Sequence, residues 1–183
     1  MSPLFKLKAS IAVGALLLLP LTQAQAMVKA EYKEGKTRIS DTYKADKAAC
    51  AAMAGNAKDI CVEQAKAKEK VERANLEYSY TGKAKDQNKV LVAKAESSYA
   101  VAKERCDDKS GNDKDVCVKE AKAVKAKALA DAKMGKEMSE SRADAGTAKR
   151  DADYDVAAQK CDALSGDAKA SCMTTAKAKY GKN

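Results

Sequence analysis

The sequence predicts an all-α protein, an elongated array of three antiparallel helical hairpins, each stapled by a disulfide near its tip. Three observations carry this. The spacer of ten residues between two cysteines occurs three times, as CAAMAGNAKDIC, CDDKSGNDKDVC and CDALSGDAKASC. Alanine and lysine, both strong helix formers, dominate the composition. Leu, Ile and Val together supply only 16 of the 157 residues from Met27 onward (4, 2 and 10), too few for a large core.

At the N-terminus, Lys6 and Lys8 precede the apolar run SIAVGALLLLPL, and Ala24-Gln25-Ala26 follows as an A-x-A cleavage site. This pattern predicts a secretory signal peptide over 1–26, cleaved near Ala26. The run is shorter than the roughly 20 residues that span a bilayer. Export places the protein in the periplasm or outside the cell, where an even number of cysteines implies disulfides. Residues 1–26 hold two of the 35 basic residues and none of the 26 acidic ones, leaving 33 against 26, a net charge of +7.

Aligned on Cys50, Cys106 and Cys161, the chain repeats at intervals of 56 and 55 residues. Tyr43, Tyr99 and Tyr154 stand seven residues before these cysteines. Gly55, Gly111 and Gly166 stand five after them, followed by Asn56, Asn112 and Asp167. Lys58, Lys114 and Lys169 precede the second cysteines, Cys61, Cys117 and Cys172, by three. Agreement at this many positions marks an internal repeat. The expected units are 27–82, 83–138 and 139–183, the last opening on a polar linker or helix.

Two cysteines eleven residues apart in one helix would lie ~16 Å apart. A disulfide needs Cα atoms within about 7 Å. The chain must therefore turn between them. Glycine in the left-handed conformation ends helices, and Asn or Asp starts them. Gly55-Asn56, Gly111-Asn112 and Gly166-Asp167 are read as helix stop and helix start, with Asp59 and Asp115 in the first turn of the outgoing helix. Tyr43, Cys50 and Met53 share the inner face of the first incoming helix. Cys61, Ala65 and the stem of Lys68 face them. Asp115–Lys119 and Glu69–Arg73 have the i,i+4 spacing of helix-surface ion pairs.

The same residues weigh against catalysis. No histidine exists to activate a cysteine nucleophile, and the spacer is not that of a C-x-x-C redox centre. Asp107, Asp108, Asp113 and Asp115 do not have calcium-loop spacing and are read as a solvated turn. No enzyme activity, cofactor or metal is expected. The lysines suit a soluble helix surface or, as the alternative, a cationic module for lipopolysaccharide or phospholipid headgroups. A periplasmic protein is another possible partner. Nucleic acid is disfavoured because the acids nearly balance the lysines and no stacking surface is apparent. Stable membrane insertion is disfavoured because no face is rich in large apolar residues.

The run AGNAKDICVEQAKAKEKVERANLE, with GNDKDVCVKEAKA and GDAKASC, resembles exported Ala/Lys-rich proteins of β-proteobacteria with repeated Cys-x10-Cys units. These are often labelled cell-envelope biogenesis or TolA-like. The resemblance implies a long Ala/Lys helix and an envelope setting. It carries no functional residues with it. The Tol–Pal stalk itself lies between a retained membrane anchor and a globular domain, which this chain is not expected to have.

Overall fold

The computed structural model describes residues 27–182, and the signal-peptide prediction lies outside them. Five helices follow in order: α1 (Lys29–Ala49), α2 (Gly55–Thr81), α3 (Ala84–Cys106), α4 (Gly111–Asp162) and α5 (Gly166–Tyr180), with a 3₁₀ turn at Cys50–Ala52 after α1. No strand occurs among the described residues. Each helix packs on its neighbours in the chain and on no other: α1 on α2, α2 on α3, α3 on α4, α4 on α5. The first four helices therefore form a layer one helix thick. At 1.5 Å per residue, the 52 residues of α4 extend for about 78 Å.

The disulfides Cys50–Cys61, Cys106–Cys117 and Cys161–Cys172 close the three tips, with Cα separations of 5.7, 5.7 and 5.6 Å. Cys50, Cys106 and Cys161 are at most 1% exposed, among the most enclosed side chains of the fold. The apolar core away from the tips is thin: Ile39, Leu76 and Val90, with alanines between the helices. This is how a chain poor in large apolar residues folds. The staples supply what its core does not.

Two breaks of different kinds direct the chain. Between α2 and α3, Gly82 adopts a left-handed φ of 62°, and its N–H donates to the Tyr78 carbonyl. Thr81 Oγ1 then donates to the carboxylate of Asp86 in the first turn of α3. At the tips, Gly55, Gly111 and Gly166 also have positive φ, 56°, 55° and 56°.

The tip geometry corrects the sequence reading in several details. The incoming helices end well before the glycines, at Ala49 (with the short 3₁₀ turn behind it), Cys106 and Asp162. The glycines open the outgoing helices instead of stopping the incoming ones. Ala54, Ser110 and Ser165 occupy the N-cap positions, so Asn56, Asn112 and Asp167 are not N-caps. Asp113, and not Asp115, is the acid in the first turn of α4, and α2 has none there. Met53 lies beyond the 3₁₀ turn and is 48% exposed, so it does not share the inner face with Cys50.

The second and third hairpins share a helix. α4 passes through 138–139 without interruption, and the segment 139–153 is helical. Its N-terminal part lies on α3 and its C-terminal part on α5. Between them, residues 133–145 are exposed throughout, a bare single helix.

Candidate functional site

The tips are built alike. The N–H groups of Met53, Lys109 and Leu164 donate to the carbonyls of Cys50, Cys106 and Cys161. Lys114 Nζ lies 2.8 Å from Asp107 Oδ1, and Lys169 Nζ lies 2.9 Å from Asp162 Oδ1. The first tip has Ala51 in place of this aspartate, and Lys58 has no counterpart ion pair. The Lys114 ammonium holds the Asp107 carboxyl below the usual range, and Asp107 raises Lys114 in turn. At the second and third tips the repeated lysine before the second cysteine thus ties the turn to the outgoing helix.

Asn56 works between tips. Its Nδ2 donates to the Glu104 carbonyl at 2.9 Å, joining the start of α2 to the end of α3. Asn112 and Asp167 make no such side-chain bond among the described residues. The repeated tyrosines are half-buried: Tyr99 lies under the Lys125 ammonium, and Tyr154 packs edge-on against Tyr180. Glu69–Arg73 is paired at 2.7 Å, whereas Asp115 and Lys119 do not pair. Lys68 reaches across the first hairpin to Asp46, and that bond raises its pKa.

One face of the helical layer carries two grooves that share a ridge on α3 formed by Lys94, Ser98 and Ala102. The α3–α4 groove, about 560 Å³, is floored by Ala95, Ala121 and Ala128 and flanked by Leu91 and Val124, which are 45% and 64% exposed. The α2–α3 groove, about 460 Å³, has Lys68 and Arg105 at its rim. Lys94, Arg105 and Lys125 form no ion pair among the described residues, so three free cations border the grooves. Small alanines on a layer of helices leave such channels open. Sequence reading set neighbouring helices side by side but missed the grooves, because it did not anticipate which alanines face which helix.

Among the described residues, no cluster of three His, Cys, Asp or Glu side chains is placed to hold a metal ion. No described helix is long and apolar enough to cross a membrane. No protein-family model matches the chain, and neither a curated protein nor a solved structure matches it.

Proposed function

We propose that this chain is a non-enzymatic periplasmic helical repeat protein with a structural or interaction role in the cell envelope. The observation that carries the proposal is the burial of one half-cystine at every tip. The fold's most enclosed side chains exist only as disulfides, which suits an oxidising compartment. The single-layer architecture adds to this, because it offers a long surface relative to its mass and little enclosed volume. The test is fractionation with thiol labelling. The protein is expected in the periplasmic or secreted fraction, lacking residues 1–26 and with no free thiol. A reduced protein in the cytoplasm would overturn the reading.

A second reading is favoured by the free cations around the grooves. Lys94, Arg105 and Lys125 would engage the headgroups of anionic lipids or lipopolysaccharide, with little contribution from the rest of the charge-balanced surface. Binding to phosphatidylglycerol vesicles and to lipopolysaccharide, measured across a salt series, decides it. Binding that falls steeply with salt and is lost in a Lys94→Glu/Lys125→Glu variant supports the module. No binding at any salt removes it and leaves the lysines as a solvated helix surface.

A further inference from the structure

The stretch between the first two tips and the stretch between the last two are copies of one unit folded in two ways. Cys61 to Cys106 is 45 residues, and Cys117 to Cys161 is 44. The first stretch breaks at Gly82 and folds back as α2 and α3. In the second, Met138 stands as far beyond Cys117 as Gly82 stands beyond Cys61, and α4 runs straight through it.

Most of the seam survives although the turn is gone, with Lys127 standing where α2 has the groove-lining Val71. Val90, Ala93 and Ser97 of α3 are buried, at 6%, 5% and 6% exposure. Their counterparts 55 residues on, Ala145, Ala148 and Ala152, are all small and all exposed. Val101 lines the α2–α3 groove, and its counterpart Val156 is 56% exposed. On the α2 side, Ala67, Ala74 and Tyr78 are half-buried, whereas their counterparts 56 residues on, Ala123, Ala130 and Met134, are exposed. At 100° per residue these positions fall in one straight stripe along α4, which Met138 also joins. One rod thus carries both halves of an α2–α3 seam, with nothing among the described residues laid against either.

We infer that α4 pairs antiparallel with α4 of a second copy of this chain, about a two-fold axis beside Met138. The Lys70–Glu96 ion pair gives the α2–α3 register. Carried forward by 56 and 55 residues, it sets position 126 opposite the partner's position 151, which centres the axis between 138 and 139. The N-terminal half of each α4 then lies on the C-terminal half of the other. An interface like α2–α3, the most extensive in the chain, forms twice.

Charge supports the pairing. Residues 118–138 hold six lysines and three acids, a net +3; residues 139–160 hold four basic and five acidic residues, a net −1. In the proposed register Lys122 meets Asp155 and Lys133 meets Asp144 along one edge of the seam. The tips also fall into line: the third tip of one copy comes beside the second tip of the other. Asn112, whose side chain has no hydrogen-bond partner among the described residues, is brought to the partner's Gln159, as Asn56 is brought to Glu104. Folding back within one chain would need a turn at Lys136-Glu137-Met138-Ser139, which has no glycine to match Gly82.

Sedimentation equilibrium of the oxidised mature protein tests this, with twice the chain mass expected. Met138→Cys should give a chain-to-chain disulfide on air oxidation, mapped by mass spectrometry, while Ala143→Cys on the opposite face should not. Ala145→Glu/Ala152→Glu should halve the mass with helix content unchanged. Replacing Lys136-Glu137-Met138 by Tyr-Thr-Gly-Lys restores the first stretch's length and turn, and should give a closed monomer. A single-chain mass for the unaltered protein at every concentration, or no covalent dimer from Met138→Cys, would overturn the inference.

Discussion

A Cβ placed on Gly35 of α1 would stand 2.7 Å from Cδ1 of Leu76 on α2. Gly35 is buried within its helix, and Leu76 is, with Ile39, one of the two large aliphatic side chains buried in the first hairpin. The glycine is there for space, since its helical backbone needs no left-handed freedom. Gly35→Val is expected to destabilise by about 1–3 kcal/mol through overpacking. Leu76→Ala should cost about 2–3 kcal/mol through the void left beside Gly35. In the double variant Gly35→Ala/Leu76→Ala the new methyl refills part of the void, so its loss should be smaller than that of Leu76→Ala alone. Urea titration of the three variants checks the set.

The staples should differ in what they hold. In the chain-entropy account, a loop this short contributes roughly 2–3 kcal/mol per bridge. α5 has 15 residues and rests on α4 alone. A helix of that length is marginal in water without packing. Cys161→Ser/Cys172→Ser should therefore melt α5 while α1–α4 remain folded. Cys106→Ser/Cys117→Ser should weaken the four-helix layer as a whole. Hydrogen exchange resolved by segment separates the two outcomes.

Acid should loosen the α2–α3 turn. Lys89 and the Thr81 hydroxyl, both bonded to Asp86, hold its carboxyl below the ordinary carboxylate value, which is about 3.9. A depressed folded-state pKa gives stability that is present above the unfolded value and lost as pH falls through the folded one. The protein should thus be insensitive at this site from neutrality to about pH 5 and lose stability below about pH 4. Asp86→Asn should be less stable at neutral pH and should flatten that acid limb. Thermal melts of both proteins from pH 7 to pH 3 test it.

In the single-chain Ala145→Glu/Ala152→Glu variant, where no second copy covers it, the bare stretch of α4 should be its least protected part. Among the described residues nothing covers 133–145, and a Cβ added at Gly135 would meet open space. Gly135→Ala should raise helix stability there by about 0.5–1 kcal/mol. It should also slow amide exchange across 133–145 without altering exchange in α2.

The staples and tips were legible because cysteine geometry is strict. A spacer of ten cannot bridge within a straight helix, so Cys50–Cys61 and its copies demanded a turn. The tip details were less legible because Gly-Asn is ambiguous between closing one helix and opening the next. Ala54, Ser110 and Ser165 settle this by taking the cap position in extended conformation. The ion pair Asp107–Lys114 spans the turn, so helical i,i+4 reasoning could not find it. The grooves depend on which alanines face which helix, and nearly equal alanine and lysine on every face gives little amphipathic signal to read.

The continuous α4 makes residue number an angular coordinate. One residue removed from 133–145 turns the last hairpin by about 100° about the helix axis and draws it in by about 1.5 Å. Seven removed bring it back to within ~20° of its azimuth, but ~10 Å nearer. Whatever meets the second and third tips together must match both their distance and their phase. Away from the stripe through Met134, Met138 and Ala145, substitutions in this stretch are therefore far freer than changes in its length.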